Sequence, residues 1–157
     1  MPQTFLFDPG TAGATLFLCE GAIHLFLTGV PEITAPALAA RLDRPGRPIV
    51  LDVRAPEEHA VSRIPGARLV LPDTPPAALL PELGTEDRLV VLACSVGLRS
   101  GRLARDLIAA GLPARRVANL RGGLFRWSRL GLPMEDDRGP TTAVHPYDAR
   151  WGRLLLG

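Results

Sequence analysis

The sequence predicts an α/β domain with a central, mostly parallel sheet flanked by helices. Short apolar runs rich in β-branched residues, typical of strands buried on both faces, alternate with segments of helical spacing from about residue 32 to residue 134. The chain has 157 residues, which suffices for one domain with a sizeable core. We therefore expect a three-layer arrangement with right-handed crossovers between parallel strands.

The N-terminal extension, residues 1–30, has the least regular pattern. Phe5–Phe7 is predicted to form a short strand. Two apolar runs, Thr15–Cys19 and Ala22–Leu27, lie on either side of Glu20–Gly21, and this favours a β-hairpin with its turn at those two residues. Because neither run alternates cleanly between apolar and polar residues, a buried helix is the alternative.

The elements between residues 31 and 134 follow one another with short connections. Thr34 is a suitable N-cap for a helix in which Leu38 and Leu42 lie four residues apart. Trp127 is expected on the inner side of the last helix, in the core. The predicted strands are Ile49–Val53, Ala67–Leu71, Leu89–Ala93 and Arg116–Leu120, and the predicted helices are Ile33–Leu42, Ala77–Leu83, a segment that begins at Ser100, and Leu124–Leu130.

A single cysteine, Cys94, lies where the strand Leu89–Ala93 turns into a helix. Backbone N–H groups converge at such a turn and the helix N-terminus carries partial positive charge, so an anion is favoured there. Gly97 allows the loop to curl, and Arg99 adds a permanent cation. We expect a reactive thiolate at Cys94, although a lone cysteine after a strand is more often a small buried apolar residue.

Other polar residues also lie at the carboxyl ends of predicted strands, where ligands bind in parallel sheets. Asp52 and Arg54 end one strand, and Arg121–Gly123 follows another. An aspartate inside an apolar strand is costly unless it is paired. We therefore expect Asp52 and Arg54 to form a buried ion pair that holds the end of the strand.

Composition and charge argue against several classes of function. All 18 basic residues are arginines scattered along the chain, and the net charge is only +2, too weak for a nucleic-acid-binding face. The apolar stretch Ala14–Val30 is interrupted by Glu20 and His24, so it does not predict a membrane span. The three histidines lie apart from one another and from the cysteines, so neither a metal site nor a cofactor is expected.

The chain contains two cysteines, Cys19 and Cys94, and their number and spacing do not resemble a disulfide framework. A thiolate nucleophile fits a reducing compartment. The N-terminus lacks the basic start of a signal peptide, and we expect a cytoplasmic protein. The sequence does not define the oligomeric state.

Three stretches resemble rhodanese domains, sulfurtransferases that carry sulfur as a cysteine persulfide. The first has the pattern C-x-x-G-x-R-S from Cys94 to Ser100, with four residues between the cysteine and Arg99. Related phosphatases and arsenate reductases have five, which makes room for a tetrahedral oxyanion. The other two are LDVRAPEEHAVSRIPGA and NLRGGLFRWSRLGLPM. The former departs from rhodaneses at two positions: His59 stands where an aromatic residue is common, and Arg63 stands where a histidine is common.

The resemblance implies a rhodanese-like three-layer fold over residues 31–134. It also implies that Cys94 is the catalytic nucleophile, which takes a sulfane sulfur from a small anionic donor such as thiosulfate. The acceptor would be cyanide or a thiol, including a protein thiol. Asp52 and Arg54 would support the site. The loop that would hold the persulfide through its backbone N–H groups comprises Ser95, Val96, Gly97, Leu98, Arg99 and Ser100.

Several alternatives stay open at this point. Arg99 either orients an anionic donor or turns away to support the loop. The rival functions are a non-enzymatic persulfide carrier or interaction module and, less favoured by the loop length, a phosphatase or arsenate reductase.

The C-terminal extension, residues 135–157, contains a predicted linker at Gly139–Thr142. Its last residues are apolar again (Tyr147, Trp151 and Leu154–Leu156), and we expect them to pack on the domain or on a second copy.

Overall fold

The computed structural model describes residues 9–146, with side chains described from residue 13 onward. The strands are β1 (Glu32–Ile33), β2 (Ile49–Asp52), β3 (Arg68–Leu69), β4 (Val90–Ala93), β5 (Val117–Leu120), β6 (Met134–Asp136) and β7 (Gly139–Thr141). The first five form a parallel sheet in the order β1-β5-β4-β2-β3, and β6 and β7 form an antiparallel hairpin. The helices are α1 (Pro9–Phe26), α2 (Ala35–Leu42), α3 (Pro56–Val61), α4 (Pro76–Leu83), α5 (Leu98–Ala109) and α6 (Gly123–Arg129).

The central strands β2, β4 and β5 are buried along their whole length, because helices cover both faces of the sheet. In β4, alternate side chains enter different cores. Val90 and Leu92 pack with residues of α4 and α5, whereas Val91 and Ala93 pack with residues of α2 and α6. The predicted α/β class, with a parallel sheet between two layers of helices, is confirmed.

Several local predictions within this domain are also confirmed. Thr34 is the N-cap of α2, and its hydroxyl accepts from the backbone N–H of Ala37 at 3.4 Å. Trp127 is fully buried, and its indole N–H donates to the carbonyl of Pro133 at 2.9 Å. The predicted helix boundaries differ from the observed ones by one or two residues, as for α5, which begins at Leu98. The short helix α3 was not predicted.

The predicted N-terminal hairpin is wrong, because α1 runs as one helix through both apolar runs. The inward side of α1 contains Leu16, Glu20 and Ile23, and Leu27, directly after the helix, continues the same spacing. Glu20, taken as part of a turn, is instead a buried member of this face, and its carboxylate accepts from Arg126 Nε at 2.7 Å. The predicted strand Phe5–Phe7 lies outside the described residues.

The predicted linker at Gly139–Thr142 is also wrong, since Gly139–Thr141 forms β7. The hairpin β6–β7 is fastened to the domain by Arg63, whose backbone pairs with that of Glu135 and whose guanidinium donates to Asp137 at 2.8 Å. Short strands of this kind leave little periodic pattern in a sequence. The predicted packing of Tyr147, Trp151 and Leu154–Leu156 falls outside the described residues.

Candidate active site

Cys94 follows the last residue of β4, in the centre of the sheet and at the carboxyl edge of its strands. The loop after it leads directly into α5, with Gly97 as the N-cap residue. Gly97 has a φ of 103°, a conformation that side chains rarely adopt, and a Cβ atom there would lie 3.3 Å from the carbonyl oxygen of Leu120. A glycine is therefore needed to bend the loop back towards the sulfur.

Two groups of the loop reach the sulfur atom of Cys94. The backbone N–H of Gly97 donates to Sγ at 3.1 Å, and the hydroxyl of Ser100 lies 3.3 Å from it. The Gly97 N–H stabilises negative charge on sulfur, since a hydrogen bond to a charged group is stronger than one to a neutral group. The Ser100 hydroxyl has a single proton, and its shorter contact, with Asn119 Oδ1 at 2.6 Å, takes that proton. Of the loop N–H groups predicted to converge on Cys94, that of Gly97 donates to its sulfur.

Asn119 in β5 holds Gly97 and Ser100 in place. Its amide Nδ2 donates to the carbonyl of Gly97 at 2.9 Å, and its Oδ1 accepts from the hydroxyl of Ser100 at 2.6 Å. Asn119 is almost completely buried, so its polar atoms need partners, and the Cys94 loop supplies them. Sequence reasoning did not single out Asn119; a polar residue inside the buried strand VANL was the available signal.

Arg99 turns towards Glu58, so of the two predicted roles the structure shows the one in which it supports the loop. Its guanidinium donates to the two carboxylate oxygens of Glu58 at 2.9 and 3.0 Å, and also to the hydroxyl of Ser95 at 3.0 Å. The Ser95 hydroxyl in turn donates to Glu58 at 3.0 Å. Glu58 was not recognised from the sequence, and it is the centre of this network.

Glu58 is held in place by the start of α3. The N-cap residue of this helix, Ala55, has no side-chain oxygen, and Glu58 reaches back to accept from its backbone N–H at 2.9 Å. Burial alone would raise the pKa of Glu58, but the hydrogen bond and charge of Arg99 and the donors Ala55 and Ser95 lower it below its ordinary value. Glu58 is therefore an anion at neutral pH.

Asp52 and Arg54 form the predicted buried ion pair beside the loop. Arg54 donates to Asp52 through Nη2 at 2.7 Å and also to the carbonyl of Ser62 at 2.6 Å, and both charged side chains are almost completely buried. His59 lies 3.1 Å from Asp52. Burial would raise the pKa of Asp52, but the hydrogen bonds with His59 and Arg54 and the charge of Arg54 lower it. The contacts of this pair hold the end of β2.

The double glycine after β5 brings α6 against the Cys94 loop. A Cβ atom at Gly123 would lie only 2.3 Å from the carbonyl oxygen of Cys94, so a larger residue does not fit. The N–H groups of Leu124 and Phe125 donate to the carbonyls of Cys94 and Ser95 at 2.9 and 3.0 Å. The first turn of α6 thus fixes the start of the loop, in agreement with the prediction that this turn approaches the sheet closely.

Helix α1 covers the loop from the other side. Leu16 packs with Val96 and Phe125, and Leu27 belongs to the same buried cluster as Cys94. Cys94 is only 1% exposed. A donor can therefore reach the sulfur only when the residues packed around Cys94 move apart.

The described part of the chain lacks other features that would suggest a different kind of site. Across residues 13–146, no cluster of three or more His, Cys, Asp or Glu side chains is arranged to hold a metal ion. No helix between residues 9 and 146 has both the length and the apolar character that spanning a membrane requires. Both cysteines, Cys19 and Cys94, are unpaired.

The fold and the loop define an α/β domain with a lone thiol held at the carboxyl edge of a parallel sheet. A family model described as a rhodanese-like domain matches residues 34–130, and the chain belongs to this family. The resemblance seen in the sequence is therefore confirmed.

Known proteins agree with this assignment. A sulfurtransferase from Allochromatium vinosum is 36% identical over 113 residues, covering 70% of this chain and 99% of that protein. Among solved structures, a rhodanese-like domain protein from Staphylococcus aureus has a TM-score of 0.55 at 28% identity, covering 71% of this chain and 96% of that one. A thiosulfate sulfurtransferase from Pseudomonas aeruginosa has a TM-score of 0.62 at 26% identity, covering 92% of this chain and 26% of that one.

Proposed function

We propose that this domain is a sulfurtransferase that carries a sulfane sulfur as a persulfide on Cys94. The observation on which the proposal depends is that the Gly97 N–H donates to the sulfur of a lone cysteine in a rhodanese-like loop, with the Ser100 hydroxyl beside it. The sulfurtransferase from Allochromatium vinosum, similar over nearly its whole length, supports the same class of reaction.

The reaction has two steps, with Cys94 as the nucleophile in the first. The thiol loses its proton to solvent, and the thiolate attacks the outer sulfur of a donor such as thiosulfate. A new S–S bond forms to Cys94, the S–S bond of the donor breaks, and sulfite leaves with its electron pair. In the second step cyanide or a thiolate attacks the outer sulfur of the persulfide, which yields thiocyanate or a new persulfide and returns the Cys94 thiolate.

The residues around Cys94 have separate roles in this scheme. The Gly97 N–H stabilises the anionic sulfur, and Asn119 positions Gly97 and Ser100 around it. Arg99 supports the loop through Glu58, and the ion pair of Asp52 and Arg54 braces the neighbouring strand end. Because the thiolate must stay reduced, the proposed location is the cytoplasm.

Sulfur uptake can be measured directly as a change in intact mass after incubation with thiosulfate. We expect the parent protein to gain the mass of one sulfur atom and to lose it again with cyanide. Cys94→Ser should gain none. Cys19→Ser is the matched control, since it removes the other thiol, and it should take up sulfur as the parent does. Uptake by Cys94→Ser equal to the parent would refute the assignment.

Two activity assays, run beside the mass measurement, separate the rival functions. A carrier that serves one partner would form a stable persulfide with negligible turnover when thiosulfate and cyanide are both supplied. A phosphatase would hydrolyse a phosphate ester and take up no sulfur. The four-residue spacing between Cys94 and Arg99, and the use of Arg99 to bind Glu58, favour sulfur over phosphate.

A further inference from the structure

Glu58 is the charged group most closely associated with the active-site loop, although it belongs to a distant part of the chain. Its side chain is 2% exposed, and it accepts hydrogen bonds from Arg99 and Ser95, both in the Cys94 loop. A buried carboxylate is retained at such a position only when its partners are strong. The pairing therefore fixes one negative charge beside the one cation of the loop.

This pairing changes the electrostatic character of the site. Arg99 would attract a dianion if its guanidinium faced the sulfur without a counter-charge. With Glu58 ionised, the pair of Arg99 and Glu58 has no net charge. The adjacent pair of Asp52 and Arg54 is likewise neutral as a unit. Neither pair supplies the excess positive charge that would favour a doubly charged donor.

The cavity beside Arg99 has the same character. Its volume is about 260 Å³, and its charged residues besides Arg99 are Arg102 and Asp106, again one of each sign. The rest of its lining is mainly apolar: Val53, Leu71, Pro72, Pro76 and Leu103, with the hydroxyl of Thr74. Arg99 and Arg102 bring two positive charges to this cavity against the one negative charge of Asp106, and the Glu58 carboxylate on Arg99 offsets the excess.

We propose that Glu58 determines donor specificity: by neutralising Arg99, it favours sulfane donors of low charge, such as the persulfide of a thiol or a singly charged thiosulfonate, over the thiosulfate dianion. This inference rests on the proposed sulfurtransferase function and names the class of donor for it. Glu58 does not touch the reacting sulfur, so it acts through Arg99 as a positioning and specificity residue.

The first test compares two donors that react by the same chemistry. Thiosulfate is a dianion, and methanethiosulfonate is a singly charged anion that transfers its outer sulfur and releases methanesulfinate. Glu58→Gln keeps the size of the side chain and removes its charge. We expect the ratio of sulfur-uptake rates, thiosulfate over methanethiosulfonate, to rise roughly tenfold in this variant. Because it is a ratio on one preparation, partial unfolding cancels.

Glu57→Gln is the matched control, since it removes the same charge from the adjacent residue of α3, which is exposed. It should leave the donor ratio within about twofold of the parent, because an exposed charge is strongly screened. An unchanged ratio in Glu58→Gln would overturn the inference. An equal change in both variants would also overturn it, because the effect would then be one of general charge.

A second test does not depend on sulfur transfer. In a Cys19→Ser background, Cys94 is alkylated with anionic iodoacetate or with neutral iodoacetamide. Glu58→Gln should raise the ratio of the two rates, iodoacetate over iodoacetamide, by several-fold. If this ratio rises while neither donor delivers sulfur, the sulfurtransferase proposal fails and the electrostatic role of Glu58 stands. If sulfur is taken up but neither ratio moves, the role of Glu58 is refuted alone.

Discussion

Two buried carboxylates organise the residues around Cys94. Asp52 is paired with Arg54 at the end of β2, and Glu58 is paired with Arg99 at the start of α5. Each carboxylate pays a desolvation cost that its hydrogen bonds more than offset, so both pKa values lie below the ordinary values. The loop thus depends on two ionised acids that are shielded from solvent.

The stability of the fold should therefore decline in acid. In the acidic range the unfolded chain binds more protons than the folded one, because both carboxyl groups have lower pKa values in the folded state. Their contribution to the free energy of unfolding is therefore complete above the unfolded pKa of about 4. It is lost as the pH falls through the lower pKa values of the folded state. We expect the urea midpoint to fall from about pH 5 downward.

A variant of one of the two acids tests the origin of this effect. Glu58→Gln should be less stable at neutral pH and should show a shallower decline in acid, because one of the titrating groups is gone. Glu57→Gln, at the neighbouring exposed position, should keep the slope of the parent. If the stability of the parent and that of Glu58→Gln decline in parallel with falling pH, the pKa of Glu58 is not lowered by folding.

At the scale of elements, we expect α1 to control how far Cys94 is exposed. Its inward face contributes Leu16 to the cluster with Val96 and Phe125, and Leu27, directly after the helix, belongs to the cluster that contains Cys94. Glu20 adds a partly buried ion pair with Arg126 of α6. The helix is therefore attached to the same loop and turn that form the active site, and loosening it should open the site.

Leu16→Ala should increase the rate at which iodoacetamide alkylates Cys94 in a Cys19→Ser background. Leu16 is fully buried, and truncating such a residue costs roughly 2–5 kcal/mol, part of which weakens the attachment of α1. We expect at least a tenfold faster reaction. Leu18→Ala, on the exposed face of the same helix, should react as the parent does.

A second control separates local opening from general instability. Leu38 in α2 is also fully buried, but it packs in the core on the opposite face of the sheet from α5. Leu38→Ala should lower the urea midpoint without a comparable gain in alkylation. If Leu38→Ala accelerates alkylation as much as Leu16→Ala does, α1 does not act as a cover.

How far each element could be predicted follows from its local pattern. The strands β2, β4 and β5 were predicted because short apolar runs are easy to recognise in a sequence. Two of these runs contain one polar residue each, Asp52 in β2 and Asn119 in β5, and each of these residues has hydrogen-bond partners in the fold. Helix α1 was predicted only as the alternative to a hairpin, because Glu20 and Gly21 suggested a turn between two apolar runs. The ion pair with Arg126 explains why an acid is buried there. Glu58 was missed because its partner Arg99 is 41 residues away, a pairing that no local pattern shows.

At the scale of the whole molecule, the outward face of α1 is a large apolar surface. Phe17, Leu18, Leu25 and Phe26 lie on it, and Leu18 and Leu25 are 70% and 76% exposed. Exposed apolar groups that lie together on a surface usually mark a place where another segment or protein packs. The chain itself has a candidate, since residues 147–157 include Tyr147, Trp151 and three leucines.

We propose that residues 147–157 pack on this outward face of α1. Val144, three residues before the segment, packs against the cluster of Leu16, Val96 and Phe125, so the chain lies beside α1 at that point. Eleven extended residues reach about 36 Å, whereas the 18 residues of α1 span about 27 Å. The segment is thus long enough to follow the helix along its length.

Removing residues 147–157 should therefore uncover the face. We expect the shortened chain to bind more of a dye that reports exposed apolar surface, and to unfold at a temperature lower by several degrees. Trp151→Ala in the full chain should show a smaller change in the same direction, because one apolar contact is lost. Equal dye binding by the full and shortened chains would refute the packing in cis. Sedimentation then tests the alternative, in which a second copy of the chain covers this face. In that case the full chain is a dimer, and Leu18→Asp and Leu25→Asp dissociate it.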